Sequence, residues 1–491
     1  MTDQMEDLKA VKNYNTPVPA SITTPDKVNT RIGRLRFFDG LPTKKTVKKV
    51  FDNLDFLRGI EVFLNCIPIT SLEGMRAGHE FMGVKNSNQM LIADELLDSD
   101  PLFLTGNTDT VYCSAILDLE RDGPTVVEIP PGCGPGTAND AFFRYVIDMG
   151  APGPDRGQGG SYLILPPGYE GEVPDGYFVA QSPSYINWVI LRGFLVDGKT
   201  DAATAMFKNG VKIYPLKDKG APPAMEFVSF SKRFFNTIHA NNYEFYEELD
   251  RVIQREPIEM LDPEIRGLIA SIGIIKGRTF APDKRMKKIL TESVAVGNAT
   301  ARSIVFDSRL PESYYYEDSS WVTGFTGGSY EWLIDGGMGG RFLDARTMFF
   351  YVATVNTPAM ALEMVGVGSQ YAITAKDKDD NYLDGGKEYK LNIPANVPAK
   401  DFWSVVVYDP QTRSELQTSQ PYPSKNNKRN ELDTNADGSV DLYFGPHAPA
   451  GKEKNWIQTV RGKGWFAILR LYGPLESWFD KSWRPGDFEK I

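Results

Sequence analysis

Short runs of β-branched and aromatic residues, separated by Gly and Pro, fill two separate stretches of this chain. Between residues 102 and 196 these runs predict several strands, one of them at 111–119, and Pro130-Pro131-Gly132 is a turn that ends another. The pattern returns between residues 347 and 472, where the predicted strands include 347–355, 402–408 and 465–472. Asp384-Gly385-Gly386 and Asp437-Gly438 are hairpin-type turns. Strands this short, with turns at this spacing, predict units built as a sandwich or barrel.

Helical patterns lie before and between the two strand-rich stretches. Residues 43–64 place apolar side chains at alternating three- and four-residue steps, which predicts an amphipathic helix, and residues 89–97 show a shorter pattern of the same kind. Residues 226–255 carry a long amphipathic pattern, and two further helical patterns follow as far as residue 304. We therefore expect a helical block between two β units.

A chain of 491 residues is too long for one ordinary hydrophobic core, so more than one domain is expected. The fold class predicted is mainly β with α additions, in which two β-sandwich-like domains are joined by a helical block. The domain boundaries are placed where the sequence pattern changes. The expected units are an N-terminal helical extension on the first β domain at 1–100, the first β domain at 101–225, the helical block at 226–310 and the second β domain at 311–491.

The charge of the chain argues against a nucleic-acid partner. The formal net charge is -10, whereas nucleic-acid binding relies on clustered Lys and Arg. The main basic cluster, Lys44, Lys45, Lys48 and Lys49, has the spacing of a solvated helix face.

Targeting and cysteine patterns favour a cytoplasmic location. Residues 1–15 show no basic stretch followed by an apolar run, so no secretory signal is expected, and no apolar run approaches the roughly 20 residues that span a bilayer. A membrane partner is not expected either. Cys66, Cys113 and Cys133 are too few and too scattered for a disulfide framework, which fits a reducing compartment.

The chain lacks the common patterns for metal and cofactor binding. Its three histidines, His79, His239 and His447, do not stand at metal-ligand spacing, and phosphate-loop, dinucleotide and nucleophile-elbow motifs are not found. Residues 433–441 resemble part of a calcium loop, but Phe444 replaces the bidentate acid and the flanks predict strands, so a turn is expected. We predict no metal and no cofactor, although oxygen ligands alone leave calcium or magnesium open.

A compact polar segment at residues 105–112 is the first candidate site, because it lies where a strand begins. Asp109 is a candidate acid or base, with Asn107 and Tyr112 orienting a polar ligand through hydrogen bonds. An Asx-type turn that satisfies its own backbone explains the same residues equally well. Both interpretations stay open here.

A second candidate site begins at Arg144 and Asp148, which are four residues apart in a predicted strand and therefore share a face. If that face points inward, the two could form a buried charge pair or flank a pocket in which Asp148 is catalytic. Asp155 follows in a glycine-rich loop and is a further ligand-binding candidate. A structural salt bridge under that loop is the alternative.

Several longer motifs resemble a known family, the tandem domain-of-unknown-function family numbered 1254 on the N-terminal side and 1214 on the C-terminal side. The N-terminal motifs are residues 104–112, 153–169 and 192–198. The C-terminal motifs are residues 401–409, 435–446, 455–459 and 469–474. The resemblance implies two β-sandwich or jelly-roll-like domains with helical additions, assembled as a homo-oligomer. It implies no catalytic residue.

Three functions are consistent with these patterns. The favoured one is binding of a small polar or sugar-like ligand in the first β domain. The second is a carboxylate-dependent hydrolase or lyase that uses Asp109 and Asp148 as acid and base, because carboxylates in different environments can have pKa values that are pushed apart. The third is an oligomeric structural or assembly protein whose aromatic residues form subunit contacts. Whether the protein is an enzyme stays open.

Overall fold

The computed structural model describes residues 17–491, so the absence of a secretory signal predicted from residues 1–15 lies outside the described part. The chain is 28% helix and 27% strand, with the strands distributed over several sheets. Helices therefore occupy as much of the chain as strands, which is more than the mainly-β prediction implies. Within residues 17–491, none of the helices combines the length and the apolar character needed to cross a membrane.

The strands of the N-terminal part form a small hairpin sheet, a four-stranded sheet and a large six-stranded sheet. They are β1 (Lys27–Thr30), β2 (Gly33–Phe38), β3 (Leu41–Pro42), β4 (Gln89–Ile92), β5 (Thr110–Asp118), β6 (Thr125–Ile129), β7 (Gly136–Asp140), β8 (Tyr145–Met149), β9 (Gly160–Leu165), β10 (Phe178–Gln181), β11 (Ile186–Phe194), β12 (Lys212–Pro215) and β13 (Glu226–Ser229). The four-stranded sheet has the order β10-β9-β6-β12. The first large sheet has the order β13-β4-β5-β11-β7-β8.

The strands of the C-terminal part form a five-stranded sheet, a four-stranded sheet and a short two-stranded ribbon. They are β14 (Val322–Thr323), β15 (Leu333–Ile334), β16 (Gly340–Arg341), β17 (Ser369–Thr374), β18 (Tyr389–Ile393), β19 (Ala399–Tyr408), β20 (Ser424–Asn426), β21 (Val440–Gly445), β22 (Trp456–Gln458), β23 (Phe466–Pro474) and β24 (Glu489–Lys490). The second large sheet has the order β14-β17-β23-β19-β20. The four-stranded sheet has the order β22-β21-β18-β24.

The helices of the described residues include one very long element near the N-terminus and a group in the middle of the chain. They are α1 (Lys44–Phe81), α2 (Leu119–Asp122), α3 (Asp201–Gly210), α4 (Glu244–Arg255), α5 (Pro263–Ser271), α6 (Lys284–Phe306), α7 (Leu343–Val352), α8 (Pro358–Ala361) and α9 (Glu476–Phe479). The side chains of Thr43, Asp262 and Asp283 cap α1, α5 and α6 by accepting a hydrogen bond from the backbone three residues on.

Each large sheet is buried on both faces. On its outer face, Leu191 of β11 shares a core with Val127 of β6, and Leu469 of β23 shares a core with Leu391 of β18. On the inner faces, Ile190 and Ile468, the preceding residues of β11 and β23, belong to one larger core with α1, α4, α6 and α7. Alternation along the strands thus directs neighbouring side chains into different cores. We call the shared inner one the central core.

The helix predicted at residues 43–64 is α1, which continues to Phe81 and passes through Pro68. The sequence pattern ends early because residues 65–75 of α1 are buried on every side, so no amphipathic period marks them. The following residues, Met82 and Gly83, end the helix, and Gly83 has a φ of 92°.

Three other elements differ from the sequence prediction. The short helix predicted at 89–97 is the strand β4, which lies between β13 and β5 in the first large sheet. The long helix predicted at 226–255 begins only at Glu244, because residues 226–229 form β13. The strand predicted at 347–355 is mostly the helix α7, whose aromatic and β-branched residues are all buried. Tertiary packing overrides local propensity in each case.

Gly74 and Gly78 of α1 allow close approach of the segment after β13. A Cβ built on Gly74 would lie 2.6 Å from the carbonyl oxygen of Thr237. By contrast, a Cβ on Gly267 in α5 would meet no atom within 4 Å.

We expect Gly74→Ala to lower the free energy of unfolding by about 1–3 kcal/mol, since the backbone of Thr237 must move. Gly267→Ala is the matched control, and it should raise stability by roughly 0.5–1 kcal/mol because Ala favours the helix. Urea unfolding followed by circular dichroism measures both. Equal effects of the two substitutions would contradict the close packing of α1.

Candidate functional site

Two Tyr–Arg pairs face each other across the central core. Tyr112 of β5 is the register partner of Arg192 of β11, and Tyr371 of β17 is the register partner of Arg470 of β23. The Arg192 guanidinium carbon lies 5.8 Å from the centre of the Tyr112 ring, and that of Arg470 lies 5.3 Å from the Tyr371 ring. Each large sheet therefore presents one tyrosine and one arginine at the same kind of cross-strand position.

The two pairs line a cavity of about 50 Å³, which we call the Tyr–Arg cavity. Its remaining wall is mostly apolar. The other lining residues are Phe103, Leu104, Thr105, Ile190, Gly324, Phe325, Phe349, Ala353, Thr354, Val355, Met360, Ile373 and Ile468. This volume holds roughly four water-sized groups, since one group needs about 10–15 Å³ on this scale.

The arginines of the cavity are buried without a carboxylate partner. Arg192 is 8% exposed and Arg470 is 5% exposed, and within residues 17–491 neither takes part in an ion pair of 4 Å or less. Arg470 donates hydrogen bonds to the carbonyl oxygens of Thr105 and Gly106 and to the hydroxyl of Tyr408, while its Nε has no partner. Because buried charges are normally paired, this arrangement favours an anion in the cavity.

The cavity wall contains two strained backbone positions. Thr105 has a φ of 40° and Val355 a φ of 70°, although both are β-branched residues that avoid the left-handed region. Such a conformation costs on the order of 1–3 kcal/mol, so surrounding contacts must hold it. Thr105 Oγ1 donates to the carbonyl oxygen of Val352 at 2.8 Å, and its backbone N–H donates to that of Arg413 at 2.9 Å.

Asn107 forms the Asx-type turn and also positions a cavity side chain. Its Oδ1 accepts from the backbone N–H groups of Asp109 at 2.9 Å and Thr110 at 3.1 Å. Its Nδ2 donates to the hydroxyl of Tyr112 at 2.5 Å. The Asx-type turn is therefore present, and the same asparagine holds Tyr112 in the cavity wall.

Asp109 lies behind the cavity wall and contacts the C-terminal part of the chain. Its Oδ1 accepts from Asn426 Nδ2 at 2.6 Å, and Arg429 approaches to 3.9 Å. Its Oδ2 is buried and has no partner. Nearby, burial and then the negative charge of Asp109 raise the pKa of Glu415 well above its ordinary value.

Asp148 is held by a different partner. The hydroxyl of Thr357 donates to its two oxygens at 2.6 and 2.8 Å. Burial raises the pKa of Asp148 to about 6, against the effects of Thr357, of Thr137 and of the positive charge of Arg192. Asp148 is outside the cavity wall, and its hydrogen-bond partners differ from those of Asp109.

Arg144 and Asp155 lie away from the cavity. Arg144 is in the turn before β8 and pairs with Asp140 at 2.6 Å, so the pairing with Asp148 considered from the sequence is replaced. Asp155 accepts hydrogen bonds from the N–H groups of Gly150 and Gly159 and from the Tyr162 hydroxyl, which holds the glycine-rich loop together.

Sequence reasoning missed Arg192, Tyr371 and Arg470. A signal for the arginines is present, because the tripeptide Ile-Leu-Arg lies within an apolar stretch in both β11 and β23. An arginine inside a strand that is buried on both faces is unusual and marks a candidate site. Tyr371 has no comparable local signal.

Two family descriptions match the sequence. Residues 87–215 match "Protein of unknown function (DUF1254)", and residues 368–476 match "Protein of unknown function (DUF1214)". The chain thus carries these two domains in tandem, in the order that the motifs predicted. Tyr112 and Arg192 lie in the first matched region, and Tyr371 and Arg470 lie in the second. Each region thus supplies one Tyr–Arg pair.

The fold is similar to that of a known crystal structure at low sequence identity. The VPA0106 protein from Vibrio parahaemolyticus aligns with a TM-score of 0.55 at 15% identity, over 89% of this chain and 100% of that chain. A protein from Burkholderia cenocepacia aligns with a TM-score of 0.40 at 12% identity, over 90% and 96%. The similarity to the Vibrio parahaemolyticus protein shows the fold alone. No curated protein matches the sequence.

We expect Asp148→Asn to stabilise the protein more at pH 8 than at pH 4. Asp148 has a pKa of about 6 when folded and an ordinary value of 3.8 when unfolded, so its charge is disfavoured by folding. The free energy of unfolding of the wild-type protein should fall by up to roughly 3 kcal/mol as the pH rises from about 4 through 6, since each pKa unit corresponds to about 1.4 kcal/mol.

Urea unfolding of both proteins at several pH values measures this difference. The control is Asp175→Asn, which changes an exposed aspartate. A pH-independent difference for Asp148→Asn would contradict the prediction.

Proposed function

We propose that this protein binds a small carboxylate ligand in the Tyr–Arg cavity. The observation that carries the proposal is the pair of buried guanidinium groups, from Arg192 and Arg470, without a carboxylate partner. The planar guanidinium matches both oxygens of a carboxylate. The tyrosine hydroxyls add polar contacts, and the apolar wall accommodates a short alkyl group.

The size of the cavity narrows the ligand class. A volume of about 50 Å³ favours a ligand of about four heavy atoms, such as acetate or a short hydroxy acid, over a sugar ring. A ligand this small gains at most about 1.5 kcal/mol per heavy atom, so the Kd is expected to be tens of micromolar or weaker. We therefore keep the hypothesis of a small polar ligand, with a short carboxylate as that ligand.

The carboxylate-dependent hydrolase or lyase hypothesis stays a prediction. The raised pKa of Asp148 suits a general acid, but Asp148 and Asp109 are engaged by Thr357 and Asn426. Jelly-roll or sandwich topology, the domain boundaries, the homo-oligomer, the assembly role and the cytoplasmic location also stay predictions. The paired packing of each large sheet on a four-stranded sheet supports the layered topology.

Binding can be tested by titrating the full chain with acetate and with acetamide, its neutral analogue. We expect heat of binding and a rise in Tm with acetate and neither with acetamide, in sodium chloride of matched ionic strength. Arg192→Met keeps the apolar stem and removes the charge. It should weaken acetate binding about 10- to 100-fold, since charge-assisted hydrogen bonds contribute roughly 1.5–3 kcal/mol.

Arg302→Met is the matched control. Arg302 donates to the carbonyl oxygens of Pro410 and Gln411 and is not part of the cavity wall. Its replacement should leave acetate binding unchanged. Equal binding of acetate by the Arg192→Met and wild-type proteins, or equal effects of acetate and acetamide, would refute the proposal.

A further inference from the structure

A second basic pocket opens beside the turn that precedes β8. Its volume is about 260 Å³, and its wall includes Arg144, Arg341 and Arg346 together with Phe142, Tyr145 and Tyr330. We call it the arginine cleft. It is distinct from the Tyr–Arg cavity, because no lining residue is shared between the two.

Aromatic rings of the central core separate the cleft from the cavity. Trp332 and Phe350 line the cleft, whereas Phe349 lines the cavity. The ring of Phe349 lies 5.3 Å from that of Trp332 and 5.1 Å from that of Phe350. A ligand in the cleft therefore contacts neither Arg192 nor Arg470.

Arg346 is the buried cation of the cleft. It is 7% exposed, its Nη2 donates to Asn65 Oδ1 at 2.7 Å, and its Nε is buried without a partner. Within the described part of the chain, no carboxylate lies within 4 Å of its guanidinium. Burial, and then the nearby positive charge of Arg341, lower the pKa of Arg346 to about 10, so it remains charged at neutral pH.

The other two arginines add positive charge that is only partly compensated. Arg144 uses its Nε to pair with Asp140, and its Nη2 is buried without a partner. Arg341 is exposed and donates to the backbone oxygen of Glu331. Glu331 is the one acidic residue among those that line the cleft, against three arginines. The electrostatic environment therefore favours an anion.

The aromatic residues supply flat surfaces next to these charges. The guanidinium carbons of Arg144 and Arg346 lie 5.6 and 5.7 Å from the centre of the Phe142 ring. Tyr145 and Tyr330 meet edge to face at 5.6 Å. Aromatic walls of this kind favour a planar ring that stacks or packs edge to face.

We propose that the arginine cleft binds an aromatic carboxylate. The carboxylate group interacts with Arg346 and Arg341, and the ring packs against Phe142, Tyr145 and Tyr330. The volume of 260 Å³ is slightly below the range of about 300–1,000 Å³ for drug-sized ligands, which fits a ligand with one ring.

Calorimetric titration with benzoate tests this proposal in the full chain. Benzamide lacks the charge, cyclohexanecarboxylate lacks the aromatic face, and inorganic phosphate lacks the ring. We expect benzoate to bind at least tenfold more tightly than each of the three. Phosphate binding as tight as benzoate would overturn the aromatic assignment, and benzamide binding as tight as benzoate would overturn the role of the arginines.

Substitutions locate the bound benzoate. Arg346→Met and Arg341→Met should each weaken benzoate binding at least tenfold, and Phe142→Leu should weaken it several-fold. Arg341 is exposed, so its replacement tests the cleft even if Arg346→Met does not fold. Arg309→Met is the control, because Arg309 is exposed and pairs with Asp344 of α7 outside the cleft.

The two proposed sites can fail separately. Arg192→Met should leave benzoate binding unchanged, because Arg192 lines only the Tyr–Arg cavity. Loss of benzoate binding in this variant, or full benzoate binding by Arg341→Met, would refute the proposal that benzoate binds in the arginine cleft. Neither result depends on whether acetate binds in the cavity.

Discussion

The burial of two guanidinium groups in the central core is the interaction that most constrains this structure. An unpaired charge in a low-dielectric interior costs several kcal/mol even after the protein relaxes around it. Arg470 recovers part of that cost through the carbonyl oxygens of Thr105 and Gly106 and the Tyr408 hydroxyl. The apolar contacts of the helices and both inner sheet faces must offset the remainder.

The polar segment at residues 105–110 joins the two large sheets. Thr108 shares a hydrogen bond with Ser424 at 2.6 Å, Asp109 accepts one from Asn426, and Tyr408 donates to the carbonyl oxygen of Gly106 at 2.7 Å. These contacts link residues more than 300 positions apart. The segment therefore acts through tertiary contacts, which explains why compact polar side chains occur where a strand begins.

Much of the strand content was predictable from the sequence, since local pattern and tertiary environment agree there. The strands predicted at 111–119, 402–408 and 465–472 correspond to β5, β19 and β23. The agreement fails where burial is complete. Residues 65–75 of α1 and residues 345–352 of α7 are buried throughout, so no exposed face gives these stretches a helical period in the sequence.

The candidate site was only partly predictable for a related reason. Asn107 and Tyr112 belong to one short segment, so their hydrogen bond is a local property. The partners of Tyr112 in the cavity come from β11, β17 and β23, and no local pattern specifies which strands pair across the central core. The repeated Ile-Leu-Arg is the exception, because a charge within an apolar strand is visible without knowing the pairing.

The division of the cavity between two sheets links ligand binding to the packing of the chain. One Tyr–Arg pair belongs to each large sheet, so a complete site exists only when both sheets meet at the central core. A ligand that binds only this packed state must stabilise it by mass action. An anion between Arg192 and Arg470 would also supply the charge that both guanidinium groups lack. The same contact that gives affinity would therefore remove part of the cost of burying them.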